Sequence, residues 1–164
     1  MTEELKVLVF RIGEEEYGIQ IQQVISIERM EEIRTYPNRP AHVLGVMTVR
    51  EVITPVVDMR AALSEGTFVP SDTSRTIVVQ VNGQEVGLVV DAATDVLTIP
   101  EDTIQRPRLM ADKDISYLNG VSKLDNRLII LLDIERLLEK TTNLDELKEI
   151  KMELNQHSKS EMLL

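Results

Sequence analysis

Short runs in which apolar and polar residues alternate fill most of the chain, the period of half-buried β-strands. Leu5 to Ile12 offers Val7 and Val9 to one face and Leu8, Phe10 and Ile12 to the other, and Gly13-Glu14-Glu15 breaks the run. Tyr17, Ile19 and Ile21 then alternate with Gly18 and Gln20, so the two runs predict a hairpin about a short Gly-containing turn. Val24, Ile25 and Ile27 extend it as a bent strand or a helical turn. A short strand is expected over Ile33 to Tyr36, ended by Pro37, and one helical turn over Pro40 to Val43 with Pro at its start. Leu44 to Val49 and Val52 to Val57 predict two more strands, the second placed at an edge or a bulge by Pro55. Asp58 then stands where a helix N-cap belongs. Ser64 to Ser74, with Gly66, Pro70, Ser71, Asp72 and Thr73, is the best internal linker.

After the linker the pattern starts again. Arg75 to Val81 and Val86 to Val90 flank Asn82-Gly83, a strong hairpin turn because both residues tolerate positive φ. VFRIGEEEYGIQI, from Val9, matches VVQVNGQEVGLVV, from Val78, at a shift of 69 positions that brings Gly18 onto Gly87. GVMTVREVITPVVDMRAAL, from Gly45, matches GVSKLDNRLIILLDIERLL, from Gly120. In both copies Gly-Val opens the segment, an Asp follows thirteen residues after the Gly, and a Leu closes it five residues later. Val96 to Ile99 adds a strand, and residues 101–116 read as a polar loop or short irregular strand. A hairpin, a connector, a Gly-Val hairpin and a capped helix are therefore laid down twice. The expected fold is all-β with short helices: two intertwined five-stranded, SH3-like β-barrels sharing a core. The first barrel spans roughly residues 12–67 and the second roughly 75–140, with the N-terminal strand free to pair across. Each half would be marginal alone, so burial between them is expected to be essential.

Residues 141–164 differ. Leu144, Leu147, Ile150 and Leu154 form one helical stripe among mixed charges, the pattern of a charged helical or frayed tail. Packing on the second half and binding a partner are both open readings of it.

Composition narrows the function. With 164 residues and 43% hydrophobic content the chain builds a real core, and three Tyr, two Phe and no Trp leave that core to Val, Ile and Leu. A net charge of −10 disfavours nucleic acid and anionic membranes. The absence of cysteine excludes disulfides, thiolate metal sites and cysteine nucleophiles. No apolar run is long enough to span a membrane, and the acidic N-terminus does not read as a signal peptide. A cytoplasmic protein is expected.

Candidate chemistry is sparse. One Asp per half, Asp58 and Asp133, invites comparison with a carboxylate pair sharing a proton, but helix capping explains both. Two distant histidines, His42 and His157, give a metal site no support, and no phosphate-cradling loop, dinucleotide fingerprint or nucleophile elbow occurs. No catalytic, metal or cofactor residue is expected, which points to a binding module. Arg50-Glu51 lies at a hairpin tip, where a charged pair is ordinarily only solvated. By periodicity alone Val24 and Ile27 belong to the core.

Four pieces carry a family resemblance: VFRIGEEEYGIQIQQVISI, GVMTVREVITPVVDMRAAL, VGLVVDAATDVLTI and LIILLDIERLL. In this order and spacing, residues 5–140 resemble the CheW family of bacterial chemotaxis coupling proteins, so that 1–140 reads as a single CheW-like domain. The resemblance implies two intertwined five-stranded barrels. It also implies a non-catalytic adaptor, cytoplasmic and recruited to membrane-associated receptor arrays. Such a protein bridges the cytoplasmic tip of methyl-accepting chemoreceptors and the regulatory domain of the histidine kinase CheA. Receptor contact in the family involves the apolar groove between the barrels. Carried over, this gives Val24, Ile27, Val49 and Arg50, with Val96 from the second barrel, and it reverses the core reading of Val24 and Ile27. Kinase-contact residues are not placed.

Where the family has Asn-Leu-Arg-Gly, this chain has Thr48-Val49-Arg50-Glu51. Glu51 aligns with Asn126 in the repeat, so a left-handed turn position is expected there, at a cost to Glu of about 1–2 kcal/mol. An auxiliary CheV-type coupling protein is the nearest alternative. It is disfavoured because the chain ends about 25 residues after the second barrel, leaving no room for a receiver domain. A small acid–base hydrolase using Asp58 and Asp133 is the alternative of a different class.

Overall fold

The computed structural model describes residues 3–40, 42–63, 65–106 and 117–141. The strands are β1 (Glu4–Ile12), β2 (Glu15–Gln20), β3 (Val24–Arg29), β4 (Val43–Val49), β5 (Val52–Asp58), β6 (Arg75–Val81), β7 (Gln84–Val90), β8 (Ala92–Pro100), β9 (Ile104–Gln105), β10 (Leu118–Leu124) and β11 (Arg127–Leu132). Helix α1 (Met59–Ala62) follows β5, α2 (Ile134–Thr141) follows β11, and 3₁₀ turns cover Ile21–Gln23 and Glu101–Thr103. The expected all-β class with short helices is what is observed. The proposed helix beyond residue 141 lies outside the described residues.

Six strands form one sheet in the order β8-β1-β2-β11-β10-β9, and five form the other in the order β3-β6-β7-β5-β4. Each sheet takes a hairpin from one half of the chain and its flanking strands from the other. The exchange is made by two antiparallel ladders, β1–β8 and β3–β6, and two parallel ones, Ile129–Leu131 against Glu16–Gly18 and Val56–Asp58 against Gly87–Val89. At one of these crossings Gly87 is required: a Cβ there would lie 2.7 Å from a Val56 methyl and 2.8 Å from that of Thr76.

Both faces of the two hairpins are buried, which is why their sequences read as nearly continuous apolar runs. Leu8, Phe10, Ile19, Ile77, Val79 and Leu88 from both sheets share one central cluster with Met59 of α1 and Leu137 of α2. Val7, Val9, Ile129 and Leu131 pack on the far side of the six-stranded sheet. Met47, Val49, Val56, Val78 and Val89 do so on the far side of the five-stranded one.

The Gly-Val signature of the repeat has a steric cause. Gly45 and Gly120, at φ 151° and 153°, sit at matching irregularities of the β4–β5 and β10–β11 ladders. A Cβ on Gly45 would lie 2.2 Å from the Arg34 carbonyl oxygen, and one on Gly120 would lie 2.6 Å from an Ile104 methyl. Glycine lets a passing strand segment press against each hairpin. At Gly45 that segment makes a pair of bonds between Arg34 and Val46, each 2.9 Å, joining the chain beyond β3 to the opposite edge strand β4.

Three local expectations are corrected. Ile33–Tyr36 is not a strand but this single bridge at Arg34. The expected helical turn before β4 is instead a tight turn, with His42 left-handed at φ 66° and Val43 N–H donating to the Pro40 carbonyl. Strand β5 is internal, so the edge reading fails, while the register shift of the β4–β5 ladder between Val43 and Gly45 fits the bulge reading. Pro55 is tolerated because the ladder to β7 begins only at Val56, so its missing N–H falls outside it.

Candidate docking surface

Asp58 and Asp133 are helix caps. Asp58 Oδ1 accepts from Ala61 N at 3.2 Å, and its Oδ2 accepts from Phe68 N at 3.0 Å. Asp133 Oδ1 accepts from Arg136 N at 3.1 Å. Each carboxylate meets a backbone donor at the positive end of its own helix, which accounts for the Asp at this place in the repeat, and Asp58 also ties down Phe68 beyond α1. Among the described residues no three His, Asp or Glu side chains gather as metal ligands would.

Two of the exposed apolar residues, Ile27 and Val96, are related. Residues directly opposite on neighbouring strands share a face. Ile27 on β3 pairs with Ile77 on β6, and Val96 on β8 pairs with Leu8 on β1. Ile77 and Leu8 belong to the central cluster, so Ile27 and Val96 lie along its margin. Yet they are 45% and 57% exposed. The two are related by the same shift of 69 that relates the hairpins. Val24, opposite Val79, lies half-buried on that face and packs against the cluster.

Arg50 lies on a different side of β3. It sits at the β4–β5 tip, where both tip residues are left-handed, Arg50 at φ 47° and Glu51 at φ 70°. Its Nη2 donates to Ser26 Oγ at 3.4 Å, and its Nε lies 3.8 Å from Glu28. Ser26 faces the same way as its partner Val78, into the cluster beyond the five-stranded sheet. The structure thus groups Val24, Ile27 and Arg50 around one edge strand and places Val96 on the other sheet. The Val49 side chain is buried with Met47, Val56 and Val78 and supports the tip from below. The expectation of a left-handed Glu51 holds, while at the second tip the left-handed residue is Asp125 at φ 55°, the counterpart of Arg50.

A second arginine near the other tip provides a contrast. Arg127 donates to both oxygens of Glu16, at 3.1 and 2.8 Å, and to Asp95 Oδ2 at 2.9 Å. The hydrogen bonding to Glu16, ahead of that to Asp95, holds the guanidinium pKa above its ordinary value. Asp95 is the repeat counterpart of Ser26. One arginine is therefore clamped between two carboxylates, and the other is loosely held, with 60% of its side chain exposed against 36% for Arg127. Ser26, Glu28 and the Arg127 clamp escaped the sequence reading. The shift of 69 was the available signal, since it sets Ser26 beside Asp95.

The class these features define is a β-sheet docking module: acidic residues occupied as caps and clamps, and apolar side chains left uncovered along the margin of a shared core. Residues 6–142 match the family described as the CheW-like domain. The chain is 33% identical over 137 residues to a probable chemotaxis protein CheW of Rhizobium etli, covering 83% of this chain and 88% of that one. It is 33% identical over 149 residues to the chemotaxis protein CheW of Bacillus subtilis, covering 87% and 95%. The crystal structure of the scaffolding protein TtCheW from Thermoanaerobacter tengcongensis superposes with a TM-score of 0.75 at 30% identity, over 88% of this chain and 95% of that one. The chain belongs to the CheW family, and its role is that of a chemotaxis coupling adaptor. No helix among the described residues is long and apolar enough to cross a membrane.

Proposed function

We propose that this adaptor joins the cytoplasmic tips of methyl-accepting chemoreceptors to the regulatory domain of the histidine kinase CheA, and so is recruited to membrane-associated receptor arrays. The receptor is met by the margin of the central core, through Val24 and Ile27 of β3 with Val96 of β8, and by Arg50 at the β4–β5 tip. The observation that carries this reading is the pair Ile27 and Val96. Two repeat-related apolar side chains stay exposed where their cross-strand partners are fully buried, and a partner's helix can cover them. Arg50 adds a cation with donors to spare, and Val49 contributes by shaping the tip. Assignment of Asp58 and Asp133 to helix caps gives a hydrolase reading no support.

The test is a pull-down of CheA and a receptor signalling-tip fragment by the wild type and by Arg50→Ala. Wild type retaining both, with Arg50→Ala retaining the kinase and losing much of the receptor, is the expected result. If wild type retains neither partner, the bridging role fails.

A further inference from the structure

Arg50 and Arg127 show the same side chain in two states of satisfaction. A guanidinium carries five N–H donors in a fixed fork suited to a carboxylate. Arg127 spends three of them, from Nε and Nη2, on Glu16 and Asp95. Arg50 makes one long hydrogen bond to Ser26, and its ion pair with Glu28 is longer still, at 3.8 Å. A neutral hydroxyl at position 26, where the repeat has Asp95, leaves Glu28 as the charged group facing Arg50 from β3.

We infer that Glu28 is an internal competitor that sets how tightly Arg50 takes a carboxylate from the receptor. The inference rests on the reading that the receptor meets Arg50. In the free protein Glu28 holds the guanidinium near β3. A receptor carboxylate forming a two-pronged bond with Arg50 must displace Glu28 or approach beside it, and like charges at that range oppose each other. Glu51, next in the chain, adds negative charge to the same approach. The contact is thereby kept weak, reversible and dependent on ionic strength.

The experiment titrates a chemoreceptor signalling-tip fragment into wild type, Glu28→Gln, Arg50→Ala and the double variant, at low and high salt. Glu28→Gln is expected to tighten binding about threefold at low salt, the scale of one exposed ion pair. The gain is expected to vanish in the Arg50→Ala background and at high salt. Ser26→Asp, which copies the arrangement around Arg127, is expected to weaken binding by a similar factor. Unchanged or weaker binding by Glu28→Gln overturns the inference, as does a gain that persists without Arg50. Wild type that fails to bind the fragment overturns the receptor reading itself.

Discussion

Glu51, at φ 70°, occupies the turn position that Gly83 takes at φ 75° in the β6–β7 hairpin of the same sheet. Both are the second residue of a two-residue turn whose first residue is also left-handed, Arg50 in one case and Asn82 in the other. This backbone matches the twist of paired strands, and Asn-Gly adopts it at little cost. A side chain at the second position costs about 1–2 kcal/mol. Part of that is recovered in the unfolded chain, where glycine has more freedom to lose. Glu51→Gly should therefore raise stability by about 1 kcal/mol, read as a higher urea midpoint at unchanged slope. An equal or lower midpoint would show that the tip bears no strain.

The matched glycines should respond unequally. Alanine at Gly45 drives its Cβ into the Arg34 carbonyl, a backbone atom fixed by the bridge to Val46. Alanine at Gly120 meets Ile104 Cγ2 at 2.6 Å and the Gln105 carbonyl oxygen at 2.9 Å, both wider than the 2.2 Å at Gly45. Gly45→Ala is expected to cost about 3 kcal/mol or more, combining strain and displaced backbone, and Gly120→Ala roughly half as much. Chemical denaturation of the two variants side by side decides the order.

Surface and core roles near β3 are separable. Ile27→Ser removes an exposed side chain and should change stability by less than about 0.5 kcal/mol while weakening receptor capture. Val49→Ala empties part of a buried cluster and should lower stability by about 1–3 kcal/mol. A stability loss for Ile27→Ser as large as that for Val49→Ala would place Ile27 in the core.

Tyr17 links stability to alkaline pH. Burial, then the negative charges of Glu65 and Glu15, raise its pKa from 10.0 to about 12. The folded chain keeps this proton in a range where the unfolded chain releases it. Its contribution is thus intact below pH 10 and is lost as pH climbs towards 12, by on the order of 2 kcal/mol. Tyr17→Phe should flatten that part of the fall, seen in urea midpoints measured from pH 9 to about 12. Parallel curves for wild type and variant would remove Tyr17 from the account.

Much of the architecture was legible because the chain repeats it. The coincidence of Gly18 with Gly87, and of Asp58 with Asp133, revealed two equivalent units and their helix caps. Repetition establishes equivalence but not partnership. Nothing in the strings around Glu16 and Ile129 says that they pair, because a ladder joining residues more than a hundred positions apart leaves no local periodicity. The Arg127 clamp was hidden for the same reason. The burial of Val49 was not legible from the resemblance, which names a segment, while strand alternation decides which of its side chains turn inward. Ile27 shows the converse, since periodicity made it core and its place on an edge strand left it uncovered.

The strand exchange also dictates an order of assembly. The β1–β2 hairpin is flanked by β8 on one side and β11 on the other, with Glu4 opposite Pro100 and Gly18 opposite Leu131. During synthesis this hairpin emerges before either neighbour, and both of its edges wait for strands encoded far downstream. Topologies dominated by such distant pairings fold slowly, and open strand edges invite pairing with other chains. The hairpin is made well before the strands that enclose it, so it stays open to self-association until β11 has left the ribosome.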